Sequence, residues 1–267
     1  MKISVVINTY NAEKHLEKVL VSAKGFDEIV VCDMESTDRT LEIARKYNCK
    51  VVIFENKGYH SAEPARTFAI QSASFDWVLV VDADEIIPDA LRTYLYEQIE
   101  KSDCPAGIYI PRKNYFMGKF MHCFYPDYIL RFMKKEGTVW PPYVHTLPTV
   151  QGPVAKIPSK RKELAFIHLA NEPIRDYVAK MNAYTENERI KRKHKRYGTC
   201  SLLFRPFFSF FRSYFIKGGF LDGKRGLICA LWNGYYKFIV LAKLEEDKLG
   251  KNDIDKELTE SKYPHRI

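Results

Sequence analysis

The chain has 267 residues, 46% hydrophobic and 28% charged, which excludes a disordered or collagenous protein and allows a full buried core. Its net charge of +9 is lopsided: residues 189–225 carry eleven Lys or Arg against the single acid Asp222, so the remainder is close to neutral. Six cysteines lie scattered with no C-x-x-C pair, which excludes a zinc ribbon or a disulfide framework and points to a reducing compartment.

The amino terminus, MKISVVINTYNAEKHL, enters a strand directly, with no apolar secretory region, so a cytoplasmic location is expected. Strand and helix then alternate. ISVVIN predicts a strand, AEKHLEKVLVSAKG a helix ending near Gly25, and EIVVCD a second strand. DRTLEIARKYN predicts a helix, CKVVIFE a strand, EPARTFAIQSAS a helix and WVLVVD a fourth strand. This alternation with short connections predicts an α/β, doubly wound, mostly parallel sheet.

WVLVVD reads as a strand buried on both faces that runs straight into Asp82, Asp84 and Glu85. Three adjacent carboxylates repel one another unless a cation sits among them. They also fall at the carboxyl end of a strand, where open α/β sheets bind ligands. Mg²⁺ typically takes one or two carboxylates together with phosphate oxygens. Complementing the start of the next helix, PDALRTYLYEQIEK, accounts for Asp89 but not for Asp82 and Asp84 together. The earlier strand ends, INTYNAE and VVCDMESTDRT, put short polar side chains at the same edge. There Asp33 is placed to accept a nucleobase N–H, whereas Thr37 or Asp38 suits helix capping.

From about residue 105 to 170 the pattern changes to short strands between Gly and Pro turns: AGIYIPRKNYF, DYILRFMKK, GTVWPPYVHTLPTV and ELAFIHLA. IRDYVAKMNAYTENERIKRKHKR is helical and grows basic. SLLFRPFFSFFRSYFIKGGFL holds seven Phe, of which Phe207, Phe208, Phe211 and Phe215 follow helical spacing beside Arg205, Arg212 and Lys217. Such a basic, Phe-rich helix suits an anionic membrane surface better than nucleic acid, and packing on the protein's own core is the plainer alternative. The run Leu227 to Ala242 is broken by Asn233, Gly234 and Lys237, short of the roughly 18 apolar residues of a spanning helix, and is expected to pack on the core.

VVINTYNAEKHLEKVLVSAKGFDEIVVCDMESTDRTLEIARKY and ARTFAIQSASFDWVLVVDADE resemble the family 2 glycosyltransferases with the GT-A fold. RKNYFMGKF, YPDYILRFMKK, VHT and AFIHLA resemble the branch that adds sugars, glucose among them, to lipopolysaccharide inner core; together the likeness covers roughly residues 2–245. It implies a GT-A catalytic domain over 1–180, with a nucleotide-binding half to about 100 and an acceptor half after it. A basic, membrane-associating helical region with its tail then fills 181–267. The implied reaction is inverting transfer of a hexose from a nucleoside-diphosphate sugar, a UDP-sugar, to a lipid-linked glycan at the inner face of the cell membrane.

Carried over residue by residue, Thr9 and Asn11 line the nucleotide pocket, Asp33 holds the base and Arg66 reaches base or diphosphate. Asp82 and Asp84 serve the ribose and a divalent cation, Mg²⁺ or Mn²⁺, and His168 closes onto that metal or the diphosphate. An inverting transfer needs a general base, for which the candidates are Asp127 and His145. An ordinary Pro-Asp turn explains Asp127 equally well, and a hydrogen-bonded core histidine explains His145. The chain departs from the family pattern at Met34 and Glu35, in place of a small residue and Gly, at Thr67, in place of Asn, and at Thr146, in place of Glu. Two other readings stay open: a non-catalytic membrane- or RNA-binding protein on this fold, and a nucleotidyltransferase. The latter normally needs a Gly-rich basic phosphate loop that INTYNAE lacks.

Overall fold

The computed structural model describes residues 1–59, 61–143, 146–169 and 174–249. The chain forms two compact units, Met1–Phe120 with Phe124–Asn171, and Met121–Cys123 with Glu172–Ile267. The division thus precedes the expected residue 180, which lies inside a helix that begins at Ile174.

In the first unit the chain runs β1 (Ile3–Thr9), α1 (Glu13–Ser22), β2 (Glu28–Asp33), α2 (Thr40–Lys46), β3 (Lys50–Ile53), α3 (Glu63–Gln71) and β4 (Trp77–Asp82). It continues through β5 (Glu85–Ile86), α4 (Asp89–Ile99), β6 (Gly107–Lys113), β7 (Tyr115–Phe116) and β8 (Lys119–Phe120). After these come β9 (Asp127–Lys134), β10 (Val154–Lys156) and β11 (Phe166–His168). Strands β3-β2-β1-β4 are parallel, as the strand–helix alternation requires. Beyond β4 the order continues β9-β6-β11-β5, with β9 antiparallel to both β4 and β6. The sheet is therefore mixed, and it changes character where the sequence stops alternating. GTVWPPYVHTLPTV forms no strand among its described residues, only a single bridge between Val139 and Thr149. Pro141, Pro142 and Pro148 remove ladder donors there.

Both faces of the sheet are covered, which is why β1 is buried along its whole length and β4 is apolar up to Asp82. Ile3, Val5, Ile7, Leu79 and Val81 pack with Leu16, Val19 and Leu20 of α1 and Leu91, Leu95 and Ile99 of α4. Val6, Val78 and Val80 face the other way, onto Ala65, Ala69 and Ile70 of α3. The apolar spacing within each helix, i to i+3, i+4 or i+8, creates the stripe that docks. Asp38 ties the starts of two helices together, its Oδ2 accepting Glu13 N at 3.0 Å and its Oδ1 accepting Thr40 N at 2.9 Å. That satisfies orphan amide donors at both ends.

Strand β9 carries one irregularity that matters for the site. Ile108 pairs with Phe132 and Tyr109 with Leu130, so Arg131 is the extra residue of a β-bulge. Leu130 and Phe132, two apart, consequently face opposite cores.

The second unit contains α5 (Ile174–Arg192), α6 (Ser201–Phe211) continued by a π-helical turn at Arg212–Ile216, and α7 (Gly223–Leu249). Buried Asp222 accepts the backbone N–H groups of His122 (2.9 Å) and Cys123 (3.1 Å), fastening that short segment. Glycines let α7 approach its neighbours: a side chain at Gly226 would meet the Gly219 carbonyl oxygen at 1.7 Å, and one at Gly234 would meet that of Pro206 at 3.1 Å. The residues that interrupt the apolar run point inward. Asn233 donates to Ser213 (3.0 Å) and Lys237 to Glu188 (3.1 Å). Outward lie Leu227, Leu231, Tyr235 and Phe238 of α7, together with Leu203, Phe204, Phe207, Phe208 and Phe211 of α6. Despite its interruptions, Gly219–Lys248 is the one helix among the described residues long and apolar enough to cross a membrane by length and composition.

Candidate active site

At the carboxyl ends of β1 and β2 the loops are stitched to each other. Thr9 Oγ1 donates to Asp33 Oδ1 (2.8 Å), and Ser36 donates to Asp33 through its hydroxyl (2.6 Å) and its backbone N–H (2.8 Å). Asn11, at a φ of 48°, accepts the Thr37 N–H (2.8 Å) and donates its own to Ser36 Oγ (2.8 Å). Asp33 is fully buried, so in this structure its carboxylate ties the two loops together and faces no solvent. The departures from the family pattern are accommodated locally. Met34 fills the core, and Glu35 takes a φ of 61°, a strain offset by its carboxylate accepting Asn56 N at 2.9 Å. Thr67 Oγ1 both accepts from Trp140 N and donates to Trp140 O, each at 2.9 Å, which fixes Trp140.

Against that tryptophan lie two guanidiniums, Arg66 at 4.6 Å and Arg131 at 5.5 Å from the ring centre. Both are about 95% buried, and both reach Asp82: Arg66 Nη2 donates to Oδ1 at 2.8 Å and Arg131 Nη2 donates to Oδ2. Burial alone would raise the Asp82 carboxyl, but Arg131 and then Arg66 overcome it and hold the group well below the ordinary carboxylate range. Asp82, expected to share the metal, thus has both oxygens taken. Arg66, expected at the ligand, is turned to Asp82. The Nε and Nη1 atoms of both arginines, and the amide of Asn8 beside Asp82 on β1, make no hydrogen bond to described residues. Two cations against one carboxylate leave this wall of the site positive.

Glu85, with no exposure, accepts the Asp82 N–H (3.0 Å) and Arg112 Nη1 (2.9 Å). Burial, reinforced by the Asp82 charge, pushes its carboxyl up. Arg112 also grips Asp127 Oδ2 through Nη2 (2.6 Å) and Nε (3.0 Å), because β6 and β9 pair Arg112 with Asp127. Burial tends to lower the Arg112 guanidinium, but Glu85 and Asp127 raise it above its usual value, so it stays charged.

Asn114 Nδ2 donates to the same Asp127 Oδ2 at 3.0 Å, and this fixes which way its amide points. Its oxygen then faces His168 Nδ1 at 2.8 Å, so Nδ1 must carry the proton. His168 Nε2 lies 3.3 Å from Asp84 Oδ2, brought there by the β5·β11 pairing and by the Leu169 N–H donating to the Asp84 carbonyl (2.7 Å). An imidazole nitrogen and a carboxylate oxygen, two donors that divalent ions accept, thus converge on one point. Asp84 and His168 therefore fit a divalent ion. Among the described residues no three His, Cys, Asp or Glu side chains gather as a closed cage, and such ions commonly complete their shell with water and substrate oxygens. Asp127 Oδ1 meets no donor among the described residues, and its side chain is 37% exposed. His145 lies outside the described residues.

The structure thus joins Asp82, Asp84, Asp127, His168 and Arg66 into one network at the sheet edge, with Thr9, Asn11 and Asp33 forming a second, adjoining loop cluster. Sequence reasoning missed Arg112, Asn114, Arg131 and Trp140. A signal existed for Arg131: it stands within the apolar run Tyr128–Met133, and a buried guanidinium demands a carboxylate partner.

The chain belongs to glycosyl transferase family 2, whose sequence model matches residues 4–147. It is 28% identical to an uncharacterized glycosyltransferase of Rickettsia conorii, over 95% of this chain and 93% of that one. It is 26% identical to the lipopolysaccharide core biosynthesis glycosyltransferase LpsC of Rhizobium meliloti, over 91% of this chain and 92% of the relative. Among solved structures, a Pyrobaculum calidifontis mannosyltransferase in complex with GDP-Man and Mn²⁺ superposes with a TM-score of 0.55 at 16% identity, covering 92% of this chain and 88% of that one. At that identity the likeness establishes the fold, GT-A, with its mixed sheet and flanking helices.

Proposed function

We propose that the enzyme is a metal-dependent, inverting hexosyltransferase that moves a sugar from a nucleoside-diphosphate donor, a UDP-sugar, to a lipid-linked glycan of the lipopolysaccharide-core type. The observation that carries the reading is the line Asp84–His168–Asn114–Asp127, which links two side chains that could hold a cation to a carboxylate with one open oxygen. Asp84 and His168 would hold Mg²⁺ or Mn²⁺. When bound, that ion offsets the charge developing on the departing diphosphate.

Asp127 acts as the base. Its Oδ2 is held by Arg112 and Asn114, leaving Oδ1 to take the proton of the acceptor hydroxyl. The hydroxyl oxygen bonds to the anomeric carbon as the bond to the diphosphate oxygen breaks, and the bonding pair leaves with the nucleoside diphosphate. Asp82, clamped by Arg66 and Arg131, meets the ribose, and the positive wall they form draws the diphosphate. A nucleobase N–H reaching Asp33 has to displace Ser36. The likeness to LpsC supports a lipopolysaccharide-core acceptor, and the Pyrobaculum complex supports a nucleotide-sugar donor with a divalent ion. The exposed phenylalanines of α6, with three cations nearby, support a peripheral position on an anionic membrane surface at the inner face of the cell membrane.

The test is a panel of nucleotide sugars, each scored with and without Mg²⁺ or Mn²⁺ for protection against heat unfolding, followed by acceptor-dependent release of nucleoside diphosphate. Protection by one donor that requires the metal is expected. If no donor protects, or if protection is indifferent to chelation, the reading fails.

A further inference from the structure

The second unit contains a cleft of about 820 Å³, a volume in the range of small-molecule sites. Its walls carry Arg192, Arg205, Arg212, Lys217 and Lys237 against one acid, Glu188. Glu188 is already shared by Arg192 (2.6 Å) and Lys237 (3.1 Å). Arg205 lies 4.6 Å from the centre of the Tyr197 ring, which orients it without neutralising it. Arg205, Arg212 and Lys217 have no acidic partner among the described residues. Five cations converging on one concavity raise the local concentration of anions, and guanidinium forks match phosphate oxygens in pairs.

The same cleft is also apolar. Phe204, Phe207 and Phe208, 60–65% exposed, form one wall, and Val240 and Leu241 lie deeper. A free anion would leave those phenylalanines in water. A ligand with a charged phosphate and a hydrocarbon tail satisfies both halves of the cleft.

We propose that this cleft binds the phosphate headgroup of an anionic amphiphile, one molecule per chain, with its tail along Phe204, Phe207 and Phe208. The inference rests on the membrane reading above and sharpens it, replacing diffuse attraction to a charged surface with a single headgroup site.

The experiment is titration calorimetry of the full chain with dihexanoyl phosphatidate below its micelle concentration. Saturable one-to-one binding is expected, roughly tenfold or more tighter than that of inorganic phosphate or dihexanoyl phosphatidylcholine. Arg205→Ala, Arg212→Ala and Lys217→Ala combined should weaken it about tenfold or more. Lys193→Ala with Lys195→Ala, removing basic residues outside the cleft, should leave it unchanged. All three cleft positions are exposed, and an unchanged thermal midpoint verifies folding; the single change Arg205→Glu repeats the test if the triple variant does not fold. Absence of saturation, equal loss in the Lys193/Lys195 variant, equal affinity for inorganic phosphate, or displacement by an RNA oligonucleotide would each overturn the proposal. Binding of the same protein to phosphatidylglycerol vesicles, measured in parallel, separates the two readings. Vesicle binding without phosphatidate binding removes the cleft and keeps the membrane; the converse keeps the cleft and removes the membrane.

Discussion

In the first unit β1 and β4 enclose their apolar side chains on both faces, and the acids at the end of β4 are bonded to arginines: Asp82 to Arg66 and Arg131, Glu85 to Arg112. In the second unit Phe204, Phe207 and Phe208 stay in solvent while Asn233 and Lys237 turn inward, and three cations of the cleft find no acid among the described residues. The first arrangement stabilises a fixed site, since each buried charge is held by a partner that would suffer from its loss. The second is not what a water-facing helical unit needs for its own folding. An outward apolar stripe beside cations that lack an acid among the described residues is the arrangement on which the proposed membrane and headgroup readings rest. One chain thus deploys its charged residues in two ways, bonded to one another in one place and exposed beside apolar side chains in the other.

The largest effect expected from breaking the matched network is on chemistry. Asp84→Asn should lower transfer by about 10³-fold, the equivalent of several kcal/mol of charge stabilisation, with the fold intact because Asp84 sits partly exposed at the sheet edge. Full activity of this variant in Mg²⁺ or Mn²⁺ would remove the metal assignment. Next is Asp127→Asn, expected to cost ~10²–10⁴-fold in kcat with little change in KM for the donor. If His145→Ala gives the larger loss in a folded protein, the base is His145.

A smaller but more direct test of the contrast is Asp82→Asn, which strands Arg66 and Arg131 without a counter-charge. Chemical denaturation should show a loss of about 3–5 kcal/mol at neutral pH. Because the folded-state pKa of Asp82 is depressed, its contribution is complete above the ordinary carboxylate value and disappears only as pH falls through the lower, folded one. The gap between wild type and variant should therefore persist down to about pH 4 and close only in strong acid. A gap that closes already near pH 6 would mean that Asp82 is not held as described.

The smallest expected change in stability, about 1 kcal/mol or less, is for Phe207→Ser, Phe208→Ser and Phe211→Ser together, since Phe207 and Phe208 lie largely in solvent and Phe211 is 40% exposed. The same triple change should markedly weaken binding to anionic vesicles, binding that in wild type falls as salt is added. A loss of several kcal/mol in stability would show that the phenylalanines serve a core after all, and the contrast between the units would collapse.

Much of the first hundred residues was legible in the sequence because local pattern and tertiary environment agree there. Continuous apolar runs such as WVLVVD can be stable only between two covering layers, and Asp82 and Asp84 at such a run's end mark the ligand edge whatever follows. Asp38 was readable as a helix cap from its neighbours alone. The length-limited break at Asn233, Gly234 and Lys237 was visible too, but which way those residues point was not. Helix α7 turns them toward α5 and α6, leaving its apolar side outward.

Other features were settled only by contacts between residues far apart in the chain. Arg131 reaches Asp82 from a bulge that exists because β6 and β9 pair out of step, and register of that kind is set by the partner strand. The tautomer of His168 follows from Asn114, whose amide is oriented by Asp127, three residues from three strand ends that no local window contains. The sequence by itself determined which strands are buried, where the acids gather and where the basic excess lies, since each of these depends on composition over a few turns or one strand. Only the tertiary structure decided which carboxylate has both oxygens locked by guanidiniums and which keeps an oxygen open, because a buried charge takes its surroundings from the partners that folding brings within about 3 Å.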